Sequence, residues 1–550
     1  MPNRRRTHGP LFRWSERMFA AATKAYGVAL DIVLSHQWLT LLITATTLGL
    51  TLWLYTVAPK GFLPQQDTGV IQGQAQAETD ISFDGMSVLM QKLGAIIAAE
   101  PDVDNVAYWI NPSPSASVGQ VQINLKPFGS RKSTAAQVMA RVKTAAGAIE
   151  GLTLALQIRQ DIQIGGRSGA AQYQYTLQDG DTAELAQWVA KMKTALSAMP
   201  ILQDVSSDAQ PQATSATLVI DRPSASRLGV SVQAIDDTIY DAFGQRQVAT
   251  LFTQVSQYHV IEELDPRFQL DTRALQGLYV RSSTTQKLVP LTILASVKPG
   301  VAPVVINHQG SLPATTLSFN LAPGAALSDA VSAIDAAALT AGMPSSVIAT
   351  FQGTAQAFQD SVRSQPWLIL AAVIAVYIVL GVLYESFVHP LTIISTLPSA
   401  GLGALLSILL FGQDLSVISI IGIILLIGIV KKNGIMIVDF AIEQERGQGL
   451  APSEAIKQAC LLRFRPIMMT TLAALFGALP LAFGTGPGSE LRVPLGVAIV
   501  GGLVISQVLT LFTTPVVYLA FDRLTRHPAF GSPPVPPSSE PVGREAPAVG

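Results

Sequence analysis

Five apolar stretches, each long enough to cross a lipid bilayer, crowd the last third of this chain, and a sixth stands alone near its start. A helix needs about 20 such residues to span the hydrocarbon core. The isolated stretch covers residues 38–57, with Trp38 and Trp53 placed for the two interfaces. The clustered ones cover residues 367–385, 390–411, 415–438, 466–483 and 494–519, and a polar region, 59–365, lies between. Only 13% of the chain is charged and 49% is hydrophobic, against about 25% charged in soluble domains. The expected fold is an α-helical membrane protein with six transmembrane helices, arranged as one helix, a large polar domain, then five helices.

Basic residues set the orientation. Arg4, Arg5, Arg6 and Arg13 precede the first span, and the connection 443–465 carries Arg446, Lys457, Arg463 and Arg465. The last span exits into Asp522-Arg523-Leu524-Thr525-Arg526. Placing these on the cytoplasmic side puts the large domain and the short loops 412–414 and 484–492 in the periplasm. The first span lies too far from the N-terminus, and is too long, for a cleaved signal peptide.

The polar region alternates strand-like and helix-like stretches. Strands at 70–77, 106–110, 120–125 and 152–159 with helices at 84–99 and 134–149 give the ferredoxin-like β-α-β-β-α-β order. A second unit starts with a strand at 172–178, a helix at 183–198 and a strand at 216–221. It resumes with a strand at 314–320, a helix at 328–341 and a strand at 346–351. The α+β region thus divides into 59–171, then 172–221 with 307–365, and an inserted subdomain at 222–306. Residues 1–37 form an amphipathic lead, 38–58 the first span and 366–520 the five-helix bundle. The Pro/Ser/Gly-rich tail within 521–550 is expected to be disordered.

Several chemistries are excluded. The net charge of −1 gives no case for nucleic acid. Cys460 is the single cysteine, and the six histidines show no metal-ligand spacing. No Walker-type phosphate loop is present, and Gly484-Thr485-Gly486-Pro487-Gly488 follows an apolar helix, as an interhelical turn would.

The most informative motif is Gly428-Ile429-Val430-Lys431-Lys432-Asn433-Gly434-Ile435, where two lysines interrupt an apolar span. A central charge costs at least ~2.5–3.5 kcal/mol on insertion scales. Both lysines could snorkel to the cytoplasmic end, and for Lys431 that reading stands level with a functional one. Lys432 is the stronger candidate, because Asn433 and Gly434 beside it suit close helix packing. In Arg463-Phe464-Arg465-Pro466-Ile467-Met468-Met469-Thr470, Arg463 and Thr470 share a helical face about 10 Å apart along the axis. By pattern alone Arg463 reads as an ordinary cytoplasmic anchor. The nearest acids, Asp439 and Glu385, stand at span ends, and no span carries a central Asp or Glu. The sequence therefore presents half of a charge relay.

Over residues 38–526 the chain resembles the RND (resistance-nodulation-division) superfamily, in its hydrophobe/amphiphile efflux branch. The motifs that carry the resemblance are Gly61-Phe62-Leu63-Pro64-Gln65-Gln66-Asp67-Thr68-Gly69 and Leu383-Tyr384-Glu385-Ser386-Phe387. Lys432-Asn433-Gly434-Ile435 with Val438-Asp439-Phe440-Ala441, Arg463-Phe464-Arg465-Pro466-Ile467 and Thr470 complete them. Asp241-Ala242-Phe243-Gly244-Gln245-Arg246-Gln247-Val248 is similar to the subgroup whose pumps combine two different RND subunits.

The resemblance implies a proton/drug antiporter of the Gram-negative inner membrane, not an enzyme, with no cofactor beyond the proton gradient and no metal. It implies the second of two similar six-span halves, which is not a complete pump alone. Its partners would be membrane lipid, an RND N-terminal half or paralogous RND subunit, a trimeric assembly, a periplasmic adaptor protein and an outer-membrane channel. Lys432, Arg463 and Thr470, with Asn433 and Asp439, match relay positions whose acidic partners belong to the first half. Gln74, Gln76, Leu154, Leu156 and Ile158 fall at substrate-facing strand positions, although any strand over a core shows the same alternation. Residues 111–119 match a switch loop but are Ser/Pro-rich and lack its usual phenylalanine. The insertion corresponds to a docking subdomain, with Phe243, Gly244, Gln245, Arg246 and Gln247 in an oligomer contact spanning 243–253.

Two other readings share this topology: a six-span protein-export subunit of the same superfamily, and a non-transporting fragment or assembly subunit. The lysine, arginine and threonine together with the docking insertion favour efflux. A heavy-metal exporter is disfavoured, because Met86, Met90, Met139, Met192, Met199 and Met343 form no soft-ligand pattern.

Overall fold

The computed structural model describes residues 10–111, 115–165, 171–209, 212–269 and 271–525. Arg4 to Arg6, part of the expected switch loop and the expected disordered tail lie outside them. Two helices open the chain, α1 (Pro10–Ser35) and α2 (Gln37–Val57). The first soluble unit follows: β1 (Val70–Ala77), α3 (Phe83–Ala98), β2 (Val103–Ile110), β3 (Val118–Leu125), α4 (Ala135–Ala146) and β4 (Leu152–Ile158). Its sheet is antiparallel in the order β2-β3-β1-β4. Period-two alternation sends Ile71, Ala75, Val121, Ile123 and Leu156 inward against Met86, Leu93, Val138 and Val142 of the two helices. Each fully buried aliphatic side chain there contributes about 1.5–3 kcal/mol. Caps fix the helix starts: Ser82 accepts from the Gly85 N–H, and Thr134 and Gln137 form a capping box on α4.

The second unit contains β5 (Tyr173–Gln178), α5 (Thr182–Ser197) and β6 (Leu202–Ser207). The chain then leaves through β7 (Gln212–Ile220) and passes α6 (Arg222–Arg227), α7 (Val232–Phe243), β8 (Arg246–Phe252) and β9 (Gln257–Glu262). Next come β10 (Tyr279–Arg281), β11 (Leu288–Pro290), α8 (Leu291–Leu294), β12 (Ala295–Pro303) and β13 (His308–Gln309). The unit closes with β14 (Leu312–Leu321), α9 (Leu327–Thr340) and β15 (Ile348–Gln352). Its main sheet runs β13-β14-β5-β15, with β6 on the other part of β14. This corrects the expectation for 172–221 and 222–306. The strand placed at 216–221 is part of β7, which pairs along its whole length with β12 as the stalk of the insertion. The place in the second sheet belongs to β6, whose Leu202 fills the core while polar Gln203, Asp204, Ser206 and Ser207 mask the strand pattern.

The membrane bundle comprises α10 (Thr354–Tyr384), α11 (His389–Ile394), α12 (Leu397–Leu410), α13 (Val417–Gln448), α14 (Pro452–Ala482) and α15 (Ser489–Thr525). The connection expected at 443–465 shrinks to 449–451, because α13 and α14 continue beyond the apolar stretch through helix-favouring Glu, Gln, Arg, Lys and Ala. Gly449, at φ +64°, ends α13 in the left-handed conformation. Among the described residues seven helices are long and apolar enough to cross a membrane, where the sequence reading counts six. The additional one is Glu16–Ser35 within α1. That helix is fastened to the bundle: the Tyr26 hydroxyl donates to the Leu511 carbonyl (2.8 Å), its ring stacks on Phe464, and Asp31 pairs with Lys457 (2.7 Å). Glycines bring the helices together. A Cβ on Gly403 would sit 2.6 Å from the Gly501 carbonyl oxygen, and one on Gly502 only 2.0 Å from Leu426.

Candidate functional site

Two polar features stand out, one in the bundle and one between the soluble units. In the bundle, Lys432 lies about 22 Å along α13 from its first residue, well inside the span. It is exposed, on a stripe with Ile421, Leu425, Ile429 and Asp439 that no other described helix covers. It makes no ion pair or hydrogen bond among the described residues. Asp439 is on the same face two turns along, about 10 Å away by helical rise, and does not pair with it. Arg463, on α14, lays its guanidinium over the Phe440 ring (4.7 Å to the centroid), and its buried Nε has no hydrogen-bond partner among the described residues.

Asn433 points the other way, into the bundle. Its Nδ2 donates to Thr471 Oγ1 (3.1 Å) and Gln507 Oε1 (3.0 Å), while the Thr471 hydroxyl donates to the same Gln507 oxygen (2.7 Å). Thr470 takes no part, for its hydroxyl donates to the Ile467 carbonyl (3.1 Å). The structure therefore does not gather the five expected relay residues into one cluster. It adds a buried Asn433–Thr471–Gln507 network, which an isolated Gln in a long apolar segment could have signalled. Gly434 is not a tight contact, since a Cβ there would find its nearest neighbours at 3.7 Å.

Between the two soluble units lies a cavity of about 590 Å³. Eleven glutamines line it: Gln66, Gln72, Gln74, Gln120, Gln122, Gln157, Gln160, Gln163, Gln172, Gln174 and Gln352. Phe62, Leu63, Trp109, Ile158, Ile162 and Ile164 supply apolar wall, and Arg159 is the one charged residue among those lining it. Of the expected substrate-facing residues, Gln74 and Ile158 reach this cavity. Gln76 is not among its lining residues. Leu156 is fully buried in the first unit's core with Leu154 packed against that core, because their side of β4 faces the helices.

Below the cavity a buried joint ties the first unit to the membrane. Asp67 accepts from Arg131 Nη2 (2.6 Å) and from the Ala135 N–H at the start of α4 (2.8 Å). The Asp67 N–H donates to Glu490 Oε1 in the first turn of α15 (3.3 Å). Nearby, Asp414 in the α12–α13 loop packs on Gly61, where a Cβ would lie 3.0 Å from its Oδ2. Burial, reinforced by the negative charge of Asp329, raises the Asp414 carboxyl above the ordinary range.

In the insertion, Phe243 ends α7 half-buried, Gly244 caps it, and Gln245 adopts φ +51° to turn into β8. Arg246 pairs with Asp241 (2.6 Å), and Gln247 donates to the Thr250 hydroxyl (2.8 Å). Among the described residues the β8–β9 hairpin has no other strand neighbour, and Phe252 (79%) and Val255 (96%) stand exposed on it.

The chain thus combines a helical membrane bundle with two split β-α-β-β-α-β units, one carrying a stalked insertion. Two crystal structures of a heavy metal efflux pump share that fold, with TM-score 0.80 and 22% identity, over 92% of this chain and about half of theirs. The AcrB/AcrD/AcrF family model matches residues 1–522, and the chain belongs to that family. Among its relatives, Multidrug resistance protein MdtC of Escherichia coli is 52% identical over 508 residues, 92% of this chain and 49% of that protein. The MdtC of Salmonella enteritidis is 51% identical over 515 residues, 94% of this chain and 50% of that protein. The chain thus spans about half the length of the curated relatives it matches. It is a multi-pass inner-membrane protein with a large soluble region.

Proposed function

We propose that this chain is the C-terminal half of the inner-membrane component of a proton-driven, tripartite multidrug efflux pump. The observation that carries the reading is Lys432: a cation deep in a span, on a stripe that no other described helix covers, without a counter-charge. An intramembrane charge of this kind is retained where a partner or a proton pathway needs it. The acids that answer it come from outside this sequence, either an RND N-terminal half or a paralogous subunit. Protonation of those acids releases Lys432, and Arg463 and Thr470 on α14 serve the same pathway from the cytoplasmic side.

The soluble units are ferredoxin-like porter subdomains, and the cavity between them is the substrate path. The insertion docks against a periplasmic adaptor or outer-membrane channel. The apolar β8–β9 hairpin supports a trimer contact, since an isolated two-stranded hairpin is marginal in water without a partner. The test is Lys432→Ala beside Lys432→Arg, with a co-expressed first half, reading dye efflux from energised cells. Efflux should vanish in Lys432→Ala at normal membrane levels. Unimpaired efflux removes the relay assignment.

A further inference from the structure

The cavity between the soluble units carries a chemical selectivity that the transport reading leaves open. Strand register arranges its floor as two rows on one face of the first sheet. Gln72 stands opposite both Gln122 and Gln157, and two residues along, Gln74 stands opposite Gln120, itself opposite Trp109. Adjacent strands lie about 4.8 Å apart, so the carboxamides form a close grid with an indole at its edge. The side chains of Gln72, Gln74 and Gln120 make no hydrogen bond among the described residues. Gln174 and Gln352 of the second unit line the same space.

A carboxamide donates and accepts at once and carries no net charge. An ion entering this cavity loses hydration without gaining a counter-charge, except at exposed Arg159. No lining residue is acidic, so a cation gains least. A hydroxyl-rich neutral group can satisfy the grid in both directions, while the indole and the flanking isoleucines accept an apolar body. The volume lies in the range of small-molecule sites. Resting on the reading of this cavity as the substrate path, we infer that it selects uncharged, polyhydroxylated amphiphiles of the glycoside type and discriminates against cationic ones.

The experiment uses the full chain in phospholipid nanodiscs, corrected against empty discs. Octyl β-D-glucopyranoside, octyltrimethylammonium and octyl sulfate share one alkyl chain and differ in head group. The signal is the tryptophan fluorescence change lost in Trp109→Phe. The glucoside should half-saturate it at a concentration about tenfold below the ammonium compound. Gln72→Leu/Gln74→Leu/Gln120→Leu should weaken the glucoside about tenfold and leave the sulfate nearly unchanged. Gln74→Glu, which keeps the side-chain size, should tighten the ammonium compound and weaken the glucoside. Equal response to all three probes, or glucoside binding unchanged in both variants, overturns the selectivity and leaves the cavity as a path. No Trp109 signal from any probe, with efflux intact in the assembled pump, overturns the cavity reading itself.

Discussion

The soluble units and the membrane bundle treat charge in opposite ways. In the first unit, Arg131, only 3% exposed, is held by Asp67, which also caps α4. The two units are further joined by the Lys143–Asp204 ion pair and by Asn320, which donates to the Leu156 carbonyl of the first unit (3.4 Å). In the bundle the buried polar groups are likewise satisfied at Asn433, Thr471 and Gln507. Lys432, one residue away, faces outward and meets no partner among the described residues. On the proposed reading, that open lysine belongs to a surface formed with a partner. The difference separates residues that hold the chain together from one that, on the proposed reading, works on a neighbour.

That contrast can be broken at graded depths. Asp67→Ala should have the largest effect on stability, about 3–5 kcal/mol, because it strands the Arg131 guanidinium as an unpaired buried charge. Chemical denaturation with a soluble-domain fluorescence probe measures it, and a loss below 1 kcal/mol would mean water reaches the site. Asn433→Ala should cost about 1–3 kcal/mol by leaving Thr471 and Gln507 under-partnered, read in the same unfolding assay with a bundle probe. Lys432→Ala, for all its effect on transport, should shift the melting temperature of the isolated chain by about 1 °C or less, like an ordinary surface change. A shift as large as that of Asn433→Ala would place Lys432 inside the bundle and erase the contrast.

Asp414→Asn is the mildest. The folded carboxyl titrates above its unfolded range, so the native state holds its proton more tightly and loses stability as the pH rises through that raised value. Removing the charge should therefore raise the melting temperature by about 1–3 °C near neutral pH. The gain should shrink as the pH falls and be gone below about pH 3, where both folded and unfolded carboxyls are largely protonated. A gain independent of pH would assign the effect to packing on Gly61.

The leading span at 38–57, the large domain and the clustered helices were legible because bilayer thickness imposes a length on apolar runs, as in residues 415–438, whereas Glu16–Ser35, interrupted by charge, was not. The β-α-β-β-α-β order was legible in the first unit, where Ile71, Ala75, Val121 and Ile123 alternate cleanly. It failed at β6, a strand too polar to show alternation, and at 443–465, where hydropathy stops before helix propensity does. The cavity was half visible. The glutamines at 72, 74, 120 and 122 alternate with core residues, but only register shows that they stand side by side. Of the strand residues expected to face substrate, Leu154 and Leu156 lie on the core side of β4. Thr471 rather than Thr470 joins the buried network because neighbours on a helix point about 100° apart, and sequence does not fix the rotation.

The most direct test measures dye efflux in a pump-deficient strain from this chain alone and from the chain co-expressed with an RND first half carrying its two intramembrane acids. Efflux only with the first half, lost again when those acids are changed to amides, is the expected result. Full proton-coupled efflux from this chain alone would contradict the claim that Lys432 awaits a carboxylate from outside it.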